Sequence, residues 1–191
     1  DGALHIQPQV LKDLYQGIRQ AAPELRVLHM DNCNPATLMR DPDLAAEAIG
    51  IIARYNTPGD VAAFGLESAD PQVLKANLVE TDPEETLAAI RLMNEAGGWR
   101  ENGIPKLLPG INLLHGLIGE RAETMELNYA YLQRILDEGL MVRRINIRQV
   151  LPIGNYRAVK VPAHRFQTYN DKVNENINRP MLQRVFPTGT Y

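Results

Sequence analysis

A single cysteine, Cys33, stands in a chain of 191 residues. One thiol excludes an internal disulfide framework and any cysteine-rich metal site built from these residues alone. A reducing compartment, the cytoplasm, is the expectation. No apolar run approaches the length of a membrane span, so no membrane partner is expected, and no signal peptide is visible. Dinucleotide-type G-x-G-x-x-G, Walker, G-x-S-x-G and H-E-x-x-H signatures are all missing, as is any His/Cys cluster. An initiator methionine is missing too. The chain opens "DGALHIQP", which suits a mature chain or a piece of something longer.

What is present is enough apolar residue, 45%, to build one sizeable core. Charge is unevenly spread. From Val142 onward nine Lys and Arg face two Asp and Glu, a net of +7; the remainder holds eleven basic and twenty-one acidic residues, a net of -10. Such a basic end is either a solvated face or a surface for nucleic acid.

Four runs read as strands: "LRVLHMDN" (25–32), "VAAFGLES" (61–68), "GINLLHG" (110–116) and "VRRINIRQVL" (142–151). Helical patterns lie between them. Asp-Pro pairs open "DPDLAAEAIGIIARY" and "TDPEETLAAIRLMNEAGG", a cap followed by the first helical turn. "ERAETMELNYAYLQRILDEG" carries an apolar stripe and stops at Gly139. Another helix over 10–22 precedes the first strand, and one over 163–178 follows the last, with a break at Pro180. Strands alternating with helices predict βαβ units, a parallel sheet of four or five strands and an α/β fold. Upstream strands are expected to be missing, which would leave the first strand as an exposed edge open to self-association.

Polar residues gather at the strand ends, where parallel α/β folds bind ligands. The first strand ends in His29, Asp31 and Asn32, the second in Glu67 and Ser68. The third carries Asn112 and His115 and runs into "GLIGE", and the fourth carries Asn146, Arg148 and Gln149. Bland roles compete with binding. The histidines can be structural, Asp31 can cap a loop, Cys33 can be inert, and Glu67 can cap the next helix or pair with Arg148.

"FGLESADPQVLKAN", "TDPEETLAAIRLMNEAGG" and "GINLLHGLIGERAET", in that order, resemble the second half of a radical S-adenosylmethionine enzyme barrel. "LHMDNCNP" and "VRRINIRQVLP" extend the likeness to an archaeal-type iron–sulfur oxidoreductase group whose members carry a C-terminal helix-hairpin-helix. It covers roughly residues 23–152. The resemblance implies a partial (β/α)6-type barrel over 1–152, lacking its first strands and cluster loop, with 153–191 a basic extension packed on it. It implies an intact parent enzyme that uses S-adenosylmethionine and a 4Fe-4S cluster to make a 5′-deoxyadenosyl radical that acts on an unknown substrate. The CxxxCxxC cluster motif is absent here, so this chain alone is expected to be inactive.

By the same resemblance the cofactor-binding residues are Asp31, Glu67, Ser68, Asn112, Leu114, His115, Gly116, Arg148, Gln149 and Val150. Glu67 and Asn112 stand at ribose- or methionine-contacting positions, Leu114 to Gly116 lie against the adenine, and residues 149–151 form the backbone edge beside it. No catalytic or metal-ligating residue is implied within the chain. Two readings from other classes stay open: a nucleic-acid-binding module gripping RNA with its basic end, and an α/β-barrel enzyme using His115 and Glu67 as acid and base.

Overall fold

The computed structural model describes residues 5–189. The elements run α1 (Pro8–Ala21), α2 (Pro35–Arg40), α3 (Pro42–Tyr55), β1 (Asp60–Glu67), α4 (Pro71–Ala76), α5 (Pro83–Gly97), β2 (Arg100–Glu101), β3 (Ile104–Pro105), β4 (Leu107–His115), α6 (Ala122–Asp137), β5 (Arg144–Gln149), α7 (Ala163–Val173) and α8 (Arg179–Val185). A π-helical turn, Asn174–Asn178, joins the last two helices.

One local device starts four of these helices. Asn34, Asp41, Asp70 and Asp82 each precede a proline, and each side chain accepts a backbone N–H two or three residues on. The proline supplies a preset φ at a position whose missing N–H costs nothing, and the side chain satisfies a donor the helix leaves free. The expected break at Pro180 is not seen. Pro180 falls in the first turn of α8, directly after the π turn, so the helical path runs through it.

β1, β4 and β5 form a parallel sheet in that order. The strand count is three, not four or five, and the sheet does not close into a barrel. The run at 25–32 is the difference. It lies beside β1 but joins it only through a bridge between Asn32 and Ala63, with Ala63 N donating to Asp31 O at 2.8 Å and Cys33 N to Ala63 O at 3.0 Å. Side chains take the backbone groups a ladder would use. Met30 N donates to the buried Asp60 carboxylate at 3.1 Å, and Thr57 meets the backbone of Leu28. The run at 25–32, on which the free edge was expected, is thus not a full strand, and it covers part of the edge of β1.

A second, antiparallel pair, β2 and β3, was not expected. Its loop is Asn102-Gly103, both with positive φ (52° and 81°), the backbone of a tight primed turn.

The two faces of the sheet differ. Ala62, Phe64, Leu66, Leu107, Ile111 and Leu113 face the helices and join the main core. That core also takes Tyr169, Val173, Ile177 and Met181 from the C-terminal helices, so residues after 152 pack with the rest. The other face carries Val61, Ala63 and Gly65 on β1, Gly110, Asn112 and Leu114 on β4, and Arg144, Asn146 and Arg148 on β5, following the strand register and the two-residue alternation of strands. At its amino end Leu108 is covered by Val185 and Phe186. Toward the carboxyl ends of this face, called the open face below, Gly65, Asn112, Leu114 and Asn146 are half-buried and Arg148 is exposed.

Candidate functional site

Glu67 ends β1 in an unusual backbone. Its φ is 62°, and Ser68 N donates to Leu66 O at 2.7 Å across it. That is a γ-turn of the rare, strained kind centred on a non-glycine residue. A bulge precedes it: β1 advances from Phe64 to Glu67 while β4 advances from Ile111 to Leu113. The extra residue re-aims the side chain. The carboxylate folds back over Gly65, where a Cβ would lie 2.9 Å from Glu67 Oε1. Gly65 is on the open face, so the carboxylate is too.

Among the described residues the Glu67 carboxylate has no hydrogen-bond or ion-pair partner. Burial alone pushes its carboxyl above the ordinary 4.5. The two bland roles considered for Glu67 are both taken by others. Asp70 caps α4 through Gln72 N at 2.9 Å, and Arg148 is exposed with no ion pair to Glu67. A strained, half-buried and unpartnered carboxylate is the pattern of a group waiting for a donor. Gly65→Ala tests the geometry. The added methyl should swing the carboxylate outward and lower the Glu67 pKa toward its ordinary value, measured by carboxyl-carbon NMR titration, while the melting temperature stays within a degree or so, about the effect of a surface change.

On the next strands Asn112 and Asn146 pair in register. Asn146 Nδ2 donates to Asn112 Oδ1 at 2.9 Å. Asn112 Nδ2 and Asn146 Oδ1 have no other hydrogen-bond partner among the described residues. Gly110 keeps the floor flat, since a Cβ there would lie 2.8 Å from Val61 Cγ1. Leu114 is half-buried on the same face, beside Arg148.

The remaining sequence-derived residues lie elsewhere or are occupied. Asp31 is exposed and accepts from Asn32 Nδ2 at 3.3 Å; the register puts Asn32, not Asp31, opposite Ala63. Ser68 is fully buried and bonded to Asn128 and to Asp70 N, which makes it a structural pin. His115 is fully buried on the helix face, with its ring edge-on to Tyr169 (4.8 Å) and Phe166 (5.9 Å). Its Nδ1 is 2.7 Å from Glu120 Oε1, and Glu120 also accepts from Gly116 N. His115 and Glu67 therefore face opposite sides of the sheet and do not form a pair. Gly116 has φ 94° and is covered by Val159, whose N–H donates to Gly116 O at 2.9 Å. Gln149 is exposed and sits 3.5 Å from Val161 O. Val150 N is taken by His115 O at 2.8 Å. Of the ten, the structure brings together Glu67, Asn112, Leu114 and Arg148.

Gly65, Gly110, Asn146 and Glu120 complete this end of the fold. Asn146 repeats on β5 the place of Asn112 on β4, so strand alternation carries its signal. Cys33 lines an apolar hollow with Met30, Leu38 and Ile49, and burial pushes its thiol up to about 11, which makes it inert at neutral pH. Among the described residues no group of His, Cys, Asp and Glu could hold a metal ion, and no helix is long and apolar enough to cross a membrane.

No protein-family model matches the chain. Over 190 residues, 95% of the chain, it is 46% identical to an uncharacterized protein of Methanocaldococcus jannaschii, of which the match covers 35%. It is 41% identical over 197 residues to an uncharacterized protein of Archaeoglobus fulgidus, covering 99% of the chain and 37% of that protein. A third relative, an uncharacterized protein of Methanopyrus kandleri, is 26% identical over 146 residues, 76% of the chain and 24% of the relative. The chain thus spans about a third of the length of the first two relatives.

Proposed function

We propose that the open face at the carboxyl ends of β1, β4 and β5 binds S-adenosylmethionine, and that the chain is the later part of a radical S-adenosylmethionine barrel. The observation that carries this reading is the unpartnered Glu67 carboxylate held on a strained turn beside the Asn112–Asn146 pair. A carboxylate accepts from two ribose hydroxyls or stands against a sulfonium cation, and an amide serves either a hydroxyl or a carboxylate. The glycine floor at Gly65 and Gly110 lets a flat group approach the backbone closely.

The donor set fits the nucleoside cofactor and not the cluster. The one cysteine is on the far side of β1, in an apolar hollow, so the ligands of a 4Fe-4S cluster would be other residues than these. With its cluster, such a cofactor supplies a 5′-deoxyadenosyl radical. This chain's part is to bind, orient and keep water from the cofactor. No general acid or base is needed from it.

Calorimetric titration of S-adenosylmethionine into the chain and into Asn112→Ala tests the reading. Loss of one neutral hydrogen bond costs about 1 kcal/mol, so the variant should bind roughly 5-fold more weakly. Equal binding by both proteins, or none by either, would sink it.

A further inference from the structure

Among the described residues no strand pairs with the outer edge of β5. The helical stretch from α7 to α8 runs beside that edge. Between them lie two hollows, of about 520 and 330 Å³, which share Ile145, Asn174 and Asn178 and so form one trough. β5 has six residues, which gives the trough a length of roughly 20 Å. Among the described residues neither hollow is lined by Asp or Glu.

Among the described residues its cations have few counter-charges. Arg143 lies over the Phe186 ring at 4.6 Å, and its Nε is buried with no partner among the described residues. Burial first, and then neighbouring Arg144, pull the Arg143 pKa down, as for a guanidinium with no carboxylate beside it. Arg144 and Arg148 are exposed and pair with no carboxylate among the described residues. Arg179 has only the exposed Glu175, at 3.9 Å. Amide side chains, Asn146, Gln167 and Asn170, make up the upper wall.

We propose that this trough binds single-stranded nucleic acid through its phosphodiester backbone. Guanidinium forks match phosphate oxygens, and cations spread along a trough suit a repeating anion better than one compact phosphate. The amide wall gives hydrogen bonds to sugars and base edges. Among the described residues no aromatic side chain lines the trough, so base stacking contributes little and sequence preference is weak. An acidic peptide added to the free edge is the competing occupant. It would add to the free edge by backbone pairing and would leave the exposed arginines to carboxylates instead of phosphates.

The test is fluorescence anisotropy of a labelled ten-uridine RNA titrated with the 191-residue chain at about 50 and 200 mM salt. Three neutralised phosphates predict a loss of roughly 20-fold in affinity between the two. The double variant Arg144→Gln/Arg179→Gln should bind more weakly at low salt and keep only about a third of the logarithmic salt slope. Both side chains are exposed, and circular dichroism checks that the fold is kept. No RNA binding at low salt, or a slope unchanged in the double variant, overturns the proposal. So does polyglutamate binding as tightly as RNA, which would point to an acidic peptide. The cofactor reading and this one fail separately, because S-adenosylmethionine titration reads Glu67 and Asn112 while RNA titration reads Arg144 and Arg179.

Discussion

Replacing Asp70 by alanine should destabilise the chain by about 3 kcal/mol. Asp70 is 1% exposed and does two tasks. One oxygen caps α4 through Gln72 N. The other accepts from Thr124 at 2.7 Å and from Arg121 at 3.1 Å, which ties α4 to the start of α6 under the polar face. A lost cap costs about 0.5–2 kcal/mol and a lost charged hydrogen bond about 1.5–3. The Arg121 share is discounted because its side chain is 45% exposed and screened by solvent. For a chain of this length the melting temperature should fall by roughly 6–12 °C.

The pH dependence has a definite sign. Burial alone would raise the Asp70 carboxyl, but the bonds from Thr124, Arg121 and Gln72 outweigh it and hold the group below its ordinary 3.8. Its contribution is therefore complete above that value and fades as pH falls through the lowered one. The gap between wild type and Asp70→Ala should be constant at neutral pH and shrink below about pH 4. Thermal melts from pH 3 to 7 measure it. A gap that widens in acid would contradict this account of Asp70.

Glu67→Gln should act in the opposite way. It removes a charge that the fold leaves unsatisfied. Burial raises the Glu67 carboxyl above 4.5, so the ionised form is the disfavoured one. The resulting cost is absent below pH 4.5 and grows as pH rises through the window up to the raised value. The Gln variant should thus melt with wild type at pH 4 and at or above it at pH 7. Its affinity for S-adenosylmethionine should meanwhile fall about 10- to 150-fold, the worth of one charged hydrogen bond. A lower melting temperature at pH 7 with affinity unchanged would make Glu67 structural.

Elements fixed by local chemistry were legible in the sequence. The Asp-Pro pairs announce α3, α4 and α5, and the unbroken apolar runs announce β1 and β4, whereas the short α2 behind Asn34-Pro35 was not expected. The run at 25–32 has the composition of a strand, yet its backbone donors go to Asp60 and Thr57, partners thirty residues away that no local pattern reveals. The Asn-Gly turn of β2 and β3 was visible as a dipeptide, but the strands it joins have two residues each, too short to show alternation.

The site was legible in part for the same reason. Strand-end position found Glu67 and Asn112. It could not tell which face a residue takes after a bulge, so His115, on the helix face, looked equal to Glu67. Ser68 and Gly116 looked free because their partners, Asn128 and Val159, come from other elements.

The most direct measurement is a backbone amide NMR map of the chain with millimolar S-adenosylmethionine. Binding at the open face predicts the largest shifts at Gly65, Glu67, Asn112 and Asn146, which should need about 10- to 150-fold more cofactor in Glu67→Gln. Shifts centred instead on the apolar hollow around Cys33 and Leu38, or no shift at any amide, would contradict the assignment of this face to the cofactor.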